Sequence, residues 1–205
     1  MPHSRPGRHS GRNRLEAALQ GAIPAMLLRT LSSDDSAALQ VERAATPTAP
    51  ALLAAAQSDD AATRVELQAL YTRCLQTYRD AVRPHDTDHD DAGAALALFV
   101  AANLRAVNGT EVTAPMLDAL ERQLRGLTRR SADWDAASPE QRQVFFERTA
   151  ILGVLMTGNH AKASTQGAGP LAEVRRIASR YLEQLLGLNP KLLTLGPAGL
   201  AMRSR

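Results

Sequence analysis

The sequence holds a single cysteine, Cys74, so no disulfide within the chain can form and no cysteine cluster can bind zinc or an iron–sulfur group. Aromatics are nearly as scarce, with three Phe, three Tyr and one Trp making up 3% of the chain. Surfaces that bind single-stranded nucleic acid stack bases on aromatic rings, and this chain has little to stack with. Val and Ile are also few, which leaves little of the β-branched and aromatic material that favours strands. No apolar run approaches the ~20 residues that a membrane-spanning helix needs. Lysine is confined to Lys162 and Lys191, and the other 22 of the 24 basic residues are arginines.

What the chain does have is Ala and Leu, within a composition that is 44% hydrophobic and 22% charged over 205 residues. That length suits one domain with a tail. The formal net charge is +3. Residues 1–57 carry six Arg against four acids, and the rest carries 18 basic against 17 acidic residues. The basic excess therefore sits in the tail, and no basic face for nucleic acid is apparent.

Residues 1–13 have no periodicity and read as disordered. Residues 14–31 place Leu15, Leu19, Ile23, Met26 and Leu27 on one side of a weak amphipathic helix that Pro24 would kink, a segment that could lie on a membrane surface. Neither this stretch nor Ala51–Gln57 has the form of a signal peptide, since polar residues or prolines interrupt the first and border the second. Residues 32–57 suit a linker, so that residues 1–57 together form a flexible tail.

Over residues 58–188 the sequence predicts an all-α fold, a compact bundle of about five helices. The first starts at Ser58-Asp59-Asp60, presents Leu67, Leu70, Tyr71, Cys74, Leu75 and Tyr78 on one face, and stops at Arg83-Pro84. The second, from about Asp90 to Val107, is apolar all round and belongs at the centre, with Asn108-Gly109 as its stop. Leu117, Leu120, Leu124 and Leu127 form the stripe of the third, whose Glu121, Arg122, Gln123 and Arg125 read as solvated. A loop around Trp134 leads to Ser138-Pro139-Glu140-Gln141, an N-cap serine, first-turn proline and capping-box glutamine that open the fourth helix. Its inward positions are Val144, Phe145, Ile151, Leu152, Leu155 and Met156, and it extends towards Gly167 with Gly158 as a point of fraying. The fifth helix turns Leu171, Val174, Ile177, Ala178, Tyr181, Leu182 and Leu185 to the core and closes at Gly187, leaving residues 189–205 as a loose tail.

The densest polar cluster is His85-Asp86-Thr87-Asp88-His89-Asp90-Asp91. It fails as a calcium loop, because Asp91 and Ala97 stand where Gly and a bidentate acid are required. His85 and His89 are spaced as on one helix face, the feature a metal would use; the competing reading is an acidic turn that caps the second helix. His160 lies on a different helix. Cys74 falls on an apolar face, as an inert thiol does. No nucleophile motif, phosphate loop or dinucleotide fingerprint occurs, and the helix-borne acids Glu147 and Glu173 read as isolated and solvated. Arg122, Arg125, Arg129 and Arg130, and again Arg175, Arg176 and Arg180, form clusters that read as solvated faces before they read as a site for an acidic partner. Asn103, inside the apolar helix, must find partners for its amide and so fixes register. Asn108-Gly109-Thr110 matches a glycosylation sequon by coincidence.

Tyr78-Arg79, Arg83-Pro84, Asp91, Ala94-Ala95-Leu96-Ala97, Phe99, Asn103 and Asn108-Gly109 together resemble the pattern of an uncharacterised bacterial family of small, all-helical, often exported proteins. Pro139, Gln143, Glu147, Gly153-Val154, Gln166-Gly167 and Leu186-Gly187-Leu188-Asn189-Pro190 fit the same pattern, which spans roughly residues 65–190. The resemblance implies a helical domain and the cell envelope, with no activity assigned. The leading functional expectation is a non-catalytic interaction or structural module, with a protein as its partner and no catalytic, cofactor or metal residues. The alternative is a ligand- or metal-binding bundle that uses the turn at residues 85–91.

Overall fold

Seven helices and two short two-stranded antiparallel sheets make up the described residues, which are 40–43, 46–82, 89–187 and 189–203 of a computed structural model. In chain order they are β1 (Gln40–Glu42), α1 (Ala49–Gln57), α2 (Ala61–Val82), β2 (His89–Asp91), α3 (Ala92–Asn108), α4 (Ala114–Thr128), α5 (Ala132–Ala136), α6 (Pro139–Gln166) and α7 (Ala168–Leu186). A 3-10 turn, Pro190–Leu192, then leads into the hairpin of β3 (Leu193–Gly196) and β4 (Gly199–Met202). The fold is all-α in class. The expected tail at 1–13, the helix at 14–31, the Arg83-Pro84 stop and His85 to Asp88 lie outside the described residues.

α3 is the centre. Of its 17 residues, 14 are buried, and α4, α6 and α7 surround it. Asp91 caps its start by accepting the Gly93 and Ala94 amides at 2.9 and 3.1 Å. Gly109 ends it in the left-handed region at φ 66°, where a side chain would be strained. α6 is the long strut and runs unbroken through Gly158. It starts from a capping box, with the Gln141 amide donating to Ser138 Oγ at 3.2 Å and the Ser138 amide donating to Gln141 Oε1 at 2.8 Å. Where α6 crosses α3, Gly153 is pressed so close that a Cβ there would lie 3.0 Å from Leu98 Cγ and 3.1 Å from the Phe99 amide nitrogen.

Three expectations are corrected. The supposed linker contains β1, paired with β2 so that Val41 faces Asp90, and α1, which buries Ala49, Pro50 and Ala54. Its low-complexity Ala-Pro composition concealed a helix with proline in its first turn. The stretch around Trp134 is the short helix α5, capped by Ser131, with Trp134 edge-on to Phe145. The supposed loose tail is ordered: Leu193, Leu195 and Leu200 are buried. The period-2 alternation of Leu193 and Leu195 is the signature of a half-buried strand, and Pro197-Ala198 form a two-residue turn. Gln123 holds that hairpin to α4. Its Nε2 donates to the Leu200 carbonyl at 3.1 Å and its Oε1 accepts the Leu200 amide at 2.8 Å, so Gln123 is not a solvated residue.

Candidate functional site

α6 and α7 are joined through Gly167 alone, and α1 and α2 lie against α6. These four helices leave a cleft of about 670 Å³ between them, floored by Phe99 and Phe145. Leu53 comes from α1, Leu67 and Leu70 from α2, Leu152 and Leu155 from α6, and Ile177 from α7, all half-buried. A volume of this order lies within the ~300–1,000 Å³ range of small-molecule sites, which are mainly apolar with few polar groups. The polar groups here are the amides Gln57, Asn159 and Gln184, the phenols of Tyr71 and Tyr181, and the guanidinium of Arg148.

Local order supports this lining. Tyr71 is buried, and its hydroxyl donates to Gln57 Oε1 at 2.7 Å, linking the end of α1 to α2. Burial first, and then the neighbouring Tyr181 and Cys74, push the Tyr71 phenol above its ordinary pKa, so it remains a protonated donor. Tyr181 leans on Phe99, ring centroids 6.2 Å apart. Cys74 lies buried on α2, and burial pushes its thiol upward, away from the reactive thiolate.

A second set of polar residues holds the N-terminal arm to the bundle. Successive side chains of β2 point to opposite sides, and Asp90 and Asp91 meet different arginines accordingly. Asp90, buried, receives Arg79 Nη2 at 2.6 Å, Arg79 Nε at 3.2 Å and Arg43 Nη2 at 3.2 Å. Asp91, also buried, pairs with Arg125, which in turn holds Glu121. Of the His85–Asp91 turn the described members are thus β2 residues whose two buried carboxylates are engaged by guanidinium groups, and Asp91 is the helix cap that the competing reading anticipated. Among the described residues no group of three or more His, Cys, Asp or Glu could hold a metal ion.

Glu147 is the largest departure from expectation. It is fully buried on α6, where its Oε2 accepts the Thr48 and Ala49 amides at 2.9 and 2.8 Å and its Oε1 accepts Gln143 Nε2 at 2.7 Å. Thr48 makes no side-chain cap of its own, so this carboxylate starts α1 from outside, at the positive end of the helix. Glu173 is exposed and pairs with Arg176 one turn on. The arginine clusters divide likewise: Arg125 is half-buried in its ion pairs, whereas Arg122, Arg129, Arg130, Arg175 and Arg180 are exposed. Asn103 donates to the Phe99 carbonyl of its own helix at 2.7 Å, and its Oδ1 has no partner among the described residues. His160 sits within α6, and burial, then Arg105 and Arg175, push its imidazole below the ordinary histidine range.

The apolar and tyrosine residues of α2, α6 and α7 that line the cleft are ones that periodicity assigned to a core; Arg148, Asn159 and Gln184 are not. Periodicity reports an apolar face and cannot distinguish a face met by another helix from one that borders a cavity. Among the described residues no helix is long and apolar enough to cross a membrane. A family model described as a family of unknown function, DUF6683, matches residues 10–203, a wider span than the 65–190 of the resemblance. No curated protein and no solved structure matches the chain.

Proposed function

The chain belongs to this family of unknown function, and from that premise we propose that it is a non-catalytic binding module whose cleft takes a small, mainly apolar molecule. The observation that carries the reading is the cleft itself, about 670 Å³, walled by aliphatic side chains of four helices. Its described lining contains no Ser, Cys, His, Asp or Glu, the residues on which nucleophilic and acid–base chemistry most often rests. The ligand-binding reading thereby moves from the acidic turn to the cleft, since Asp90 and Asp91 are already held by arginines. Burial of apolar ligand surface supplies roughly 25 cal/mol per Å², enough for binding without any polar anchor.

The test is a neutral apolar fluorophore, N-phenyl-1-naphthylamine, titrated into the full chain and into Ala56→Trp. Ala56 is exposed and lines the cleft, so an indole there occupies space without disturbing the core. Fluorescence should rise and saturate for the wild type, with affinity at least about tenfold weaker in the variant, a loss of ~1.4 kcal/mol. Equal binding by both proteins, or no binding by either, overturns the reading.

A further inference from the structure

We propose that the chain has a second binding site, for a compact oxyanion of the phosphate class, where Arg105 of α3, His160 of α6 and Arg175 of α7 come together. Three helices carry the three basic groups to one level. Arg79 binds Asp90, just before α3, and lies over the Phe146 ring in the first part of α6. Phe99 meets Gly153 further along both helices, so α3 and α6 run in the same direction. α7 returns after Gly167, and its Tyr181 leans on Phe99. Arg105 is six residues beyond Phe99, His160 seven beyond Gly153, and Arg175 six before Tyr181. At ~1.5 Å rise per residue each lies about 9–10 Å from that crossing, towards the same end of the bundle. None of the three lines the cleft, so this inference is independent of the proposed function.

The ring and the two guanidinium groups are close enough to act on one another. Burial first, then Arg105 and Arg175, disfavours the charged imidazole. Neither Arg105 nor Arg175 makes a salt bridge or a hydrogen bond through its side chain among the described residues, and both are exposed. Like charges held together are unfavourable, an anion between them offsets that cost, and guanidinium forks match the oxygens of a phosphate. His160 Nδ1 is buried with no partner among the described residues. A buried N–H without an acceptor is costly, so the neutral ring carries its hydrogen on Nε2 and keeps a donor there. The other charges at this end are accounted for. Glu173 is paired with Arg176 and Arg64 of α2 with Asp59, whereas Glu111, after α3, and Lys162, on α6, are exposed.

Inorganic phosphate and sulfate are titrated calorimetrically into the full-length wild type at low ionic strength, with chloride as the buffer anion. The variants are Arg105→Gln, Arg175→Gln and His160→Gln, with Arg122→Gln, an exposed arginine of α4, as the control. The expected result is saturable binding of both anions to the wild type, about tenfold weaker in Arg105→Gln and in Arg175→Gln and unchanged in Arg122→Gln. Sulfate remains a dianion across the pH range used, so its affinity reports protonation of the protein alone. A bound anion favours the imidazolium, and by reciprocity a proton on the ring favours the anion. The free ring is held below the ordinary histidine range, so sulfate should bind more tightly as the pH falls from about 7.5 to about 5.5. That dependence should vanish in His160→Gln. No saturable binding to the wild type overturns the site. Binding unchanged in both arginine variants, or weakened as much in Arg122→Gln, overturns it as well. A pH dependence that persists in His160→Gln overturns the part assigned to His160. Should His160→Gln not fold, the wild type and the exposed arginine variants still decide.

Discussion

Where α3 crosses α6, contact is made by Gly153, Leu98 and Phe99, small or apolar groups brought to van der Waals distance. Where residues 40–57 join the same bundle, contact is made by the carboxylates of Glu147 and Asp90, each taken out of water and matched to donors. The first arrangement is tolerant in chemistry and strict in shape, since apolar contacts have no direction but a methylene too many has nowhere to go. The second is strict in chemistry. A buried carboxylate is stable only while its donors are present, and removing one side leaves the other unpaired. The arm is therefore specified by a few polar groups, the centre by many apolar ones.

The largest effect should come from removing a carboxylate of the arm. Glu147→Ala leaves the Thr48 and Ala49 amides and Gln143 without their acceptor in a buried site, at an expected cost of about 3–5 kcal/mol. Glu147→Gln, which retains one acceptor oxygen, should cost less. Urea unfolding of both variants checks the order; equal midpoints for wild type and Glu147→Ala would show that the arm is held by apolar contact after all. A second pair sharpens the account of the centre, on one helix and with opposite signs. At Gly158 a Cβ meets nothing within 4 Å, so Gly158→Ala should stabilise by about 0.5–1 kcal/mol through helix propensity. At Gly153 the Cβ would press on the Phe99 backbone nitrogen at 3.1 Å, so Gly153→Ala should lose stability, by about 1 kcal/mol. Thermal melts of the two variants decide, and a gain at both positions would mean that the α3–α6 contact is looser than described.

The smallest effect concerns His160. Its imidazole is held below the ordinary range, so the folded state favours the neutral ring while the unfolded chain takes up a proton near pH ~6.5. The contribution is thus complete above that value and is lost as the pH falls from it towards the lower folded-state value. Denaturation midpoints of the wild type should fall over that window, and those of His160→Gln should fall less. Parallel curves would assign the pH dependence elsewhere.

These contrasts also explain what the sequence makes legible. The capping box at Ser138 and Gln141, the left-handed stops at Gly109 and Gly187, and the all-round apolar surface of α3 are local features, and each is written within a few residues of the place where it acts. The partners of Glu147 are 98 and 99 residues away, and Gln123 meets a hairpin 77 residues further on. Nothing near Glu147 distinguishes it from the exposed Glu173. The cleft was hidden for a related reason. Leu152, Leu155, Ile177 and Tyr181 have the spacing of core residues, and only the placement of α1 and α2 decides that a space remains between them.

α1 has nine residues, fewer than an isolated helix needs to persist in water, and its cap lies on a helix made much later in the chain. During synthesis α1 emerges nearly a hundred residues before the carboxylate that caps it, and until then it has its neighbour α2 to pack on. Closing so long a loop carries an entropic cost, whereas the contact of α1 with α2 is local. One wall of the cleft is α1. The cleft therefore takes its full form only once α1, α2, α6 and α7 are all in place.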